Sequence, residues 1–250
     1  MRMQENSQSL VYQAFDKSPE PITQFLSQLA ARRCQTTIPH VLDVGCGTGR
    51  MIPEFRKLGF VIDAIEPDPD YFAQAMVFHD GSHVNVRKMG FLELDDDDRY
   101  DLITAINDPF SYLLHLEQRV AALQRLHRAL KKDGILFLDM PNIMWILKNY
   151  IEPQSIKAIY RGYEILREIK HEFDLVNCIM VHRDRFEIRK NDLLLDTVEK
   201  IHTFAIIGFP EVDYFLKSTG FVELETYNSY KARQSETLAS SRIMISARKG

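Results

Sequence analysis

Residues 41–50 read Val41-Leu42-Asp43-Val44-Gly45-Cys46-Gly47-Thr48-Gly49-Arg50, and the fold follows from this stretch. A short apolar run carrying Asp43 reads as a buried strand. Three glycines at spacing two then allow a tight turn and a close backbone approach to a ligand. The apolar spacing of Met51 to Leu58 predicts an amphipathic helix whose first N–H groups face the turn. Strand, glycine turn and helix together make a nucleotide-type binding site. Two common versions fail on spacing. A dinucleotide fingerprint needs a third glycine at position 50, which is Arg50. A phosphate loop needs Lys and then Ser or Thr after the last glycine, where this chain has Arg50-Met51.

The next strand supplies the partner of the turn. Phe60 to Ile65 is apolar and ends at Glu66, 21 residues beyond Gly45. An acid at about that distance can accept both ribose hydroxyls. Asp63 competes for the role but lies inside the strand rather than at its tip. Pro67-Asp68-Pro69-Asp70 opens the following helix, predicted over 69–78.

The alternation continues. Val84 to Lys88 and Leu102 to Ile106 read as strands, Leu116 to Leu130 as a helix stopped at Gly134, and Ile135 to Leu138 as a strand. Strands separated by helices imply βαβ units and a parallel sheet. Residues 9–33 read as helical, with a break near Ser18 to Pro21. The pattern changes at Pro141. Residues 142–161 look helical, and 163–206 show period-two alternation, read as antiparallel strands. A helix over 210–218, a strand over 221–227, a polar loop from Lys231 to Ser240 and a strand over 242–247 close the chain. The last two strands lack an intervening helix and predict an antiparallel end to the sheet. The expected division is an N-terminal helical cap (1–37), a cofactor-binding core (38–141 and 206–250) and an insertion (142–205) acting as substrate lid or dimerisation region.

Composition sets outer bounds. The 250 residues are 45% hydrophobic and 26% charged, with net charge -4, the profile of an ordinary globular protein. An acidic balance argues against a polynucleotide partner. No run reaches the ~18 apolar residues of a membrane span, and the polar stretch Met1 to Asp16 lacks a signal-peptide core. Cys34, Cys46 and Cys178 are too scattered for a disulfide framework or a zinc cluster. A cytoplasmic protein without metal or membrane partner is the expectation, with a homodimer left open. The acidic run Asp95 to Asp98 reads as a solvated loop.

Residues 41–49 resemble the first motif of class I S-adenosylmethionine-dependent methyltransferases, and Glu66-Pro67-Asp68-Pro69 resembles that family's acidic second motif. The likeness extends through Tyr100-Asp101-Leu102-Ile103 and Leu130 to Leu136. It implies a doubly wound, mostly parallel seven-stranded α/β sheet of Rossmann-like type, here with an antiparallel β insertion, and S-adenosyl-L-methionine as cofactor. It further implies that the turn at Gly45, Cys46 and Gly47 lies against the methionine part, with Gly49 also among the cofactor-binding residues, and that Asp43 orients the turn or reaches the amino group through water. Glu66 would hold the ribose, with Pro67 near adenine. Met89 and Gly90 occupy the third-strand position, where many relatives have an acid in place of Gly90. Tyr12 matches a tyrosine that closes over the cofactor in many relatives.

The acceptor is less legible. The carboxyl ends of strands in an open sheet face the ligand crevice, so Asn107 and Asp108 are expected to border the transferred methyl. Asn107-Asp108-Pro109-Phe110 is similar to the Asn-Pro-Pro-Phe motif of nucleic-acid amino-methyltransferases, but Asp108 replaces the first proline. The following Ser-Tyr-Leu-Leu is closer to small-molecule enzymes, including sugar N-methyltransferases. The expectation is a methyltransferase acting on a small molecule, an amine ahead of a hydroxyl, with Asn107, Asp108 and His202 as catalytic candidates and Asn107 also counted among the cofactor-binding residues. The alternatives are O-methylation with His202 as base, and a non-catalytic cofactor-binding regulator. Trp145, Tyr227 and Tyr230 are pocket candidates that more often belong to a core. The mixed charges of 182–190, with His171 and His182, read as a solvated face.

Overall fold

A computed structural model describes residues 7–15, 18–34, 36, 38–149, 154–231 and 238–250. The N-terminal six residues, part of the polar loop (232–237) and part of the stretch expected to be helical (150–153) lie outside them. In chain order the helices are α1 (Ser7–Phe15), α2 (Glu20–Arg33), α3 (Ile52–Lys57), α4 (Pro69–Ala75), α5 (Leu116–Ala129), α6 (Ile143–Lys148) and α7 (Phe209–Ser218). The strands are β1 (His40–Val44), β2 (Val61–Ile65), β3 (Val84–Arg87), β4 (Tyr100–Ala105), β5 (Leu130–Pro141), β6 (Gln154–Tyr160), β7 (Tyr163–Asp174), β8 (Ile179–Lys190), β9 (Leu193–Ala205), β10 (Phe221–Tyr227) and β11 (Arg242–Lys249). They fall into two compact units, Pro19–Lys148 with Ile207–Gly250, and Met1–Ser18 with Asn149–Ile206.

The larger unit is built on a seven-stranded sheet of order β10-β11-β5-β4-β1-β2-β3. β1 pairs in parallel with both β2 and β4, so the chain reverses its winding direction between β1 and β4. A crevice opens at such a switch point, beyond the carboxyl ends of the strands. β11 runs antiparallel between β5 and β10, as the missing helix implied. β4 is buried along its whole length, as a central parallel strand covered on both faces must be. α2 covers the sheet through Phe25, which meets Tyr227 edge-on at 5.0 Å and Phe137 at 5.4 Å. α4 starts sharply because Pro69 sets its first φ and the Asp68 carboxylate caps the N–H groups of Asp70 and Tyr71.

The smaller unit is a four-stranded antiparallel sheet, β6-β7-β8-β9. Two of its hairpins close through Arg161-Gly162 and Asn191-Asp192, all four residues at positive φ, the two-residue turns that match strand twist. Leu10 and Val11 of α1 cluster with Ile165, Phe186, Ile188 and Val198 of this sheet.

Two expectations change. Among the described residues of the stretch 142–161, Ile143–Lys148 is helical and Gln154–Tyr160 is a strand. The Arg161-Gly162 turn pairs Ile156, Ala158 and Tyr160 with Arg167, Ile165 and Tyr163 of β7, and this pairing overrides local helix propensity. Gly134 does not stop α5. That helix ends at Ala129, and β5 begins at Leu130 with a register shift against β4 that absorbs the Lys131 to Gly134 segment. α2 belongs with the parallel sheet and α1 with the antiparallel one, and α6 stays with the core.

Candidate cofactor and acceptor site

The glycine turn leaves β1 at the switch point. Gly45 and Cys46 both donate their N–H to the Ile65 carbonyl of β2, at 2.9 and 3.1 Å, and the Gly49 N–H closes the turn on the Cys46 carbonyl at 3.0 Å. Gly45 has φ +68°, and a Cβ there would stand 2.5 Å from the Pro109 Cβ. Glycine is therefore required twice at that position, for its backbone and for its space. Burial pushes the Cys46 thiol pKa up, which keeps it an inert apolar lining group.

Glu66 ends β2 inside the crevice and is only 6% exposed. Its Oε2 accepts the Gly47 N–H at 2.8 Å and its Oε1 the Asp68 N–H at 2.9 Å. These two bonds lock the carboxylate and leave each oxygen a further lone pair for a ligand hydroxyl. Burial raises the Glu66 pKa, against the lowering effect of the same two N–H groups. Asp63 is committed elsewhere, accepting from Tyr100 Oη at 2.7 Å and pairing with Arg99 at 2.7 Å. Pro67 stands next to the third-strand tip, 3.8 Å from where a Gly90 Cβ would be. Gly90 and Met89 are half-buried there. The Gly90 N–H donates to Glu93 Oε2 at 2.8 Å, so a carboxylate does stand beside the position where many relatives carry their acid.

Asp43 supplies the test of fit for a cationic amine. It is 2% exposed. Its Oδ1 accepts Thr104 Oγ1 at 2.9 Å, while its buried Oδ2 has no partner. Burial lifts its pKa to about 7. A buried carboxylate oxygen without a donor costs stability until one arrives, and the ammonium of a bound amino acid moiety, directly or through water, is such a donor. The turn, the ribose-type acid and this orphan oxygen together fit S-adenosylmethionine.

The tip of β4 lies in the same unit. Asn107 and Asp108 both adopt left-handed backbone, φ +65° and +71°. Such residues cost about 1–3 kcal/mol each unless their surroundings hold them. Asn107 is exposed and Asp108 is 5% exposed. Asp108 Oδ1 accepts Ser111 Oγ at 2.6 Å. Burial lifts the Asp108 pKa to about 7, with the Ser111 bond and the Arg242 charge opposing and the Asp139 charge adding to it.

The structure thus brings Asp43, Gly45 to Gly49, Glu66, Pro67, Met89, Gly90, Asn107 and Asp108 to the carboxyl ends of β1 to β4. Tyr12 and His202 belong to the smaller unit. There Lys200 Nζ lies 5.8 Å from the Tyr12 ring centre. His202 faces His182 across the strand pair and stacks on Phe204 at 5.9 Å. Burial lowers its pKa, with the neighbouring His182 adding to the effect, which favours the neutral ring. Tyr227 is core, 1% exposed, whereas Trp145 is 37% exposed on α6. The charges of 182–190 form cross-strand pairs such as Arg183–Glu172 and Arg185–Glu168. Sequence reasoning missed Asp139 and Arg242, which meet beside Asp108 from strands far apart in the chain. Among the described residues no group of three or more His, Cys, Asp or Glu could hold a metal ion, and no helix is long and apolar enough to cross a membrane.

A methyltransferase-domain family model matches residues 9–182. The chain belongs to this family and is an S-adenosylmethionine-dependent methyltransferase. A protein of Geobacillus sp. (strain WCH70), assigned to the methyltransferases, is 24% identical over 218 residues, 84% of each chain. The ubiquinone biosynthesis O-methyltransferase of Rhodopseudomonas palustris (strain TIE-1) is 29% identical over 107 residues, 42% of this chain and 41% of that enzyme. In fold, the chain is similar to the amino pentose methyltransferase of Micromonospora echinaspora involved in calicheamicin biosynthesis, solved with S-adenosylmethionine bound. Its TM-score is 0.79 at 16% identity, covering 100% of this chain and 99% of that one.

Proposed function

We propose that this enzyme methylates an amine nitrogen of a small molecule, and that Asp108 takes up the proton the acceptor loses. The observation that carries this reading is the buried Asp108 carboxyl at the carboxyl end of β4, lifted to about 7. An amine reaches the site as an ammonium, whose lone pair is not available until the proton leaves. A base titrating near the working pH is best matched to that transfer. The cofactor supplies a methyl group already activated by its sulfonium charge. What remains for the protein is positioning, water exclusion and proton bookkeeping. Glu66 holds the ribose hydroxyls, Asp43 answers the ammonium of the methionine part, and Glu93 is the acid available to the adenine amine. Asn107 orients the acceptor nitrogen. The amino pentose methyltransferase with the same fold supports a small amine acceptor.

A second reading, transfer to a hydroxyl with His202 as base, is supported by the half-buried ring, whose pKa burial lowers, and by the O-methyltransferase match. Turnover across paired amines and alcohols separates the two. With an amine, Asp108→Asn is expected to lower kcat by about 10²–10⁴-fold and to leave S-adenosylmethionine affinity unchanged. Turnover confined to hydroxyl acceptors, or an unaltered kcat in Asp108→Asn, overturns the amine reading.

A further inference from the structure

The carboxyl end of β5 and the amino end of β11 meet next to Asp108 in a buried polar cluster that proton uptake at Asp108 leaves unexplained. Its centre is Asp139, 4% exposed. Asp139 accepts both backbone N–H groups of the strained tip, Asn107 on Oδ2 at 3.2 Å and Asp108 on its own carbonyl at 2.9 Å. Arg242 reaches across from β11. Its Nε donates to Asp139 Oδ1 at 2.7 Å and its Nη2 to the Asp139 carbonyl at 3.1 Å. Tyr230 Oη donates to Oδ2 at 2.6 Å. One aspartate therefore ties β4, β5, β11 and the Tyr230 loop together at the left-handed Asn107-Asp108 tip.

We propose that Asp139 is a positioning residue for methyl transfer, holding Asn107 and Asp108 in their left-handed conformations, and that Arg242 and Tyr230 hold Asp139. At Asn191-Asp192 such backbone is held by the hairpin it closes; at the β4 tip no hairpin holds it, and both N–H groups of the pair end on Asp139. The arrangement has an electrostatic consequence. Asp108 faces the Ser111 hydroxyl and Tyr112 from its own turn, Asp139 from β5 and Arg242 from β11. Asp139 opposes ionisation of Asp108 and Arg242 favours it. Removing one charge or the other therefore moves Asp108 in opposite directions, which loss of a purely structural contact does not do.

The catalytic consequence rests on Asp108 acting at the acceptor; the placement of Asp139 does not. The experiment uses the full chain with Asp139→Asn, Arg242→Gln and Tyr230→Phe. The Asp108 carboxyl is titrated by ¹³C NMR, its signal assigned by its loss in Asp108→Asn, with and without S-adenosylhomocysteine. Asp139→Asn is expected to lower the Asp108 midpoint and Arg242→Gln to raise it. The acid limb of kcat moves with them, to lower and to higher pH respectively. Loss of tip geometry lowers kcat by about 10²-fold in Asp139→Asn, with S-adenosylmethionine affinity unchanged because the Gly45 to Glu66 half is untouched. Tyr230→Phe keeps every charge and removes one hydrogen bond. It is expected to reduce kcat about tenfold with the Asp108 midpoint unmoved, and it carries the test if Asp139→Asn does not fold. Midpoints that move the same way or not at all overturn the proposal, as does an unchanged kcat in Tyr230→Phe. Opposite midpoint shifts in a protein that turns over only hydroxyl acceptors uphold the Asp139 assignment and overturn the amine reading alone.

Discussion

Asp43→Asn gives the sharpest test of the cofactor site because the structure fixes both its sign and its pH window. The Asp43 carboxyl is 2% exposed, and burial lifts it from 3.8 to about 7. The unfolded chain releases this proton near pH 4, while the folded chain keeps it until about 7. Between those values the folded state binds more protons, so stability falls as pH rises through the window and is level above it. The shift spans about 3 units at about 1.4 kcal/mol each, a ceiling of about 4 kcal/mol, and water reaching Oδ2 lowers it. Asparagine cannot ionise, so it removes this slope. It puts an amide donor where the unpartnered Oδ2 stood, and a buried donor left unsatisfied adds a constant cost of about 1–3 kcal/mol. Asp108 carries a similar slope, but it is common to both proteins and cancels in the difference. The variant is expected to be less stable than the parent at pH 4.5, and the gap should close or reverse by pH 8. Urea unfolding across that range, without cofactor, measures it. Saturating S-adenosylmethionine should then stabilise the parent more than the variant, since only the parent offers a carboxylate to the ligand's ammonium. A stability difference that stays constant from pH 4.5 to 8 refutes the argument that Asp43 is buried with an unanswered charge.

Further outcomes follow from the same geometry. Glu66→Gln keeps the shape but turns an amide donor towards the N–H of Gly47 or Asp68; calorimetry should show S-adenosylmethionine affinity falling about 10–100-fold, and unchanged affinity removes Glu66 from the ribose. Gly45→Ala places a Cβ 2.5 Å from that of Pro109 at φ +68° and should cost more than about 1–2 kcal/mol in urea unfolding. Gly59→Ala, with similar backbone and nothing within 4 Å, is its control, and equal losses in the two would refute the close-approach reading. His202→Ala should slow methyl transfer to a hydroxyl by about 10²-fold and barely affect transfer to an amine; small and equal losses on both make the ring structural.

The parallel sheet was legible because its signals are local. Val41 to Val44, Val61 to Ile65 and Tyr100 to Ala105 are short apolar runs next to glycine or acidic tips, and nothing distant alters them. The 142–161 stretch misled for the opposite reason. Met144, Trp145 and Ile146 carry helical spacing, but the strand that follows is decided by its partner β7 and by the Arg161-Gly162 turn. The end of α5 was misplaced similarly, since Leu130 already pairs with Tyr100 of β4 and that pairing outweighs the glycine four residues on.

The same distinction divides the candidate site. The candidate cofactor half centres on 41–68, where Gly45, Gly47 and Glu66 are placed by one turn and one neighbouring strand, so spacing marks a nucleotide-type site and the motif resemblance names the cofactor. The acceptor half has no such local grammar. Asn107 and Asp108 are visible as a strand tip, but what fixes them is Asp139, 31 residues from Asp108, and what fixes Asp139 is Arg242, 103 residues further on. Those three come together only because β11 enters the sheet antiparallel beside β5, with Arg242 opposite Pro141 and Met244 opposite Asp139. The two halves also differ energetically. The cofactor half satisfies the Glu66 carboxylate through backbone N–H groups of its own turn and helix cap. The acceptor half instead leans on a charge pair and a tyrosine from outside its own loop. Changes in the C-terminal strand are therefore expected to reach the Asn107-Asp108 tip without touching the Gly45 to Glu66 turn.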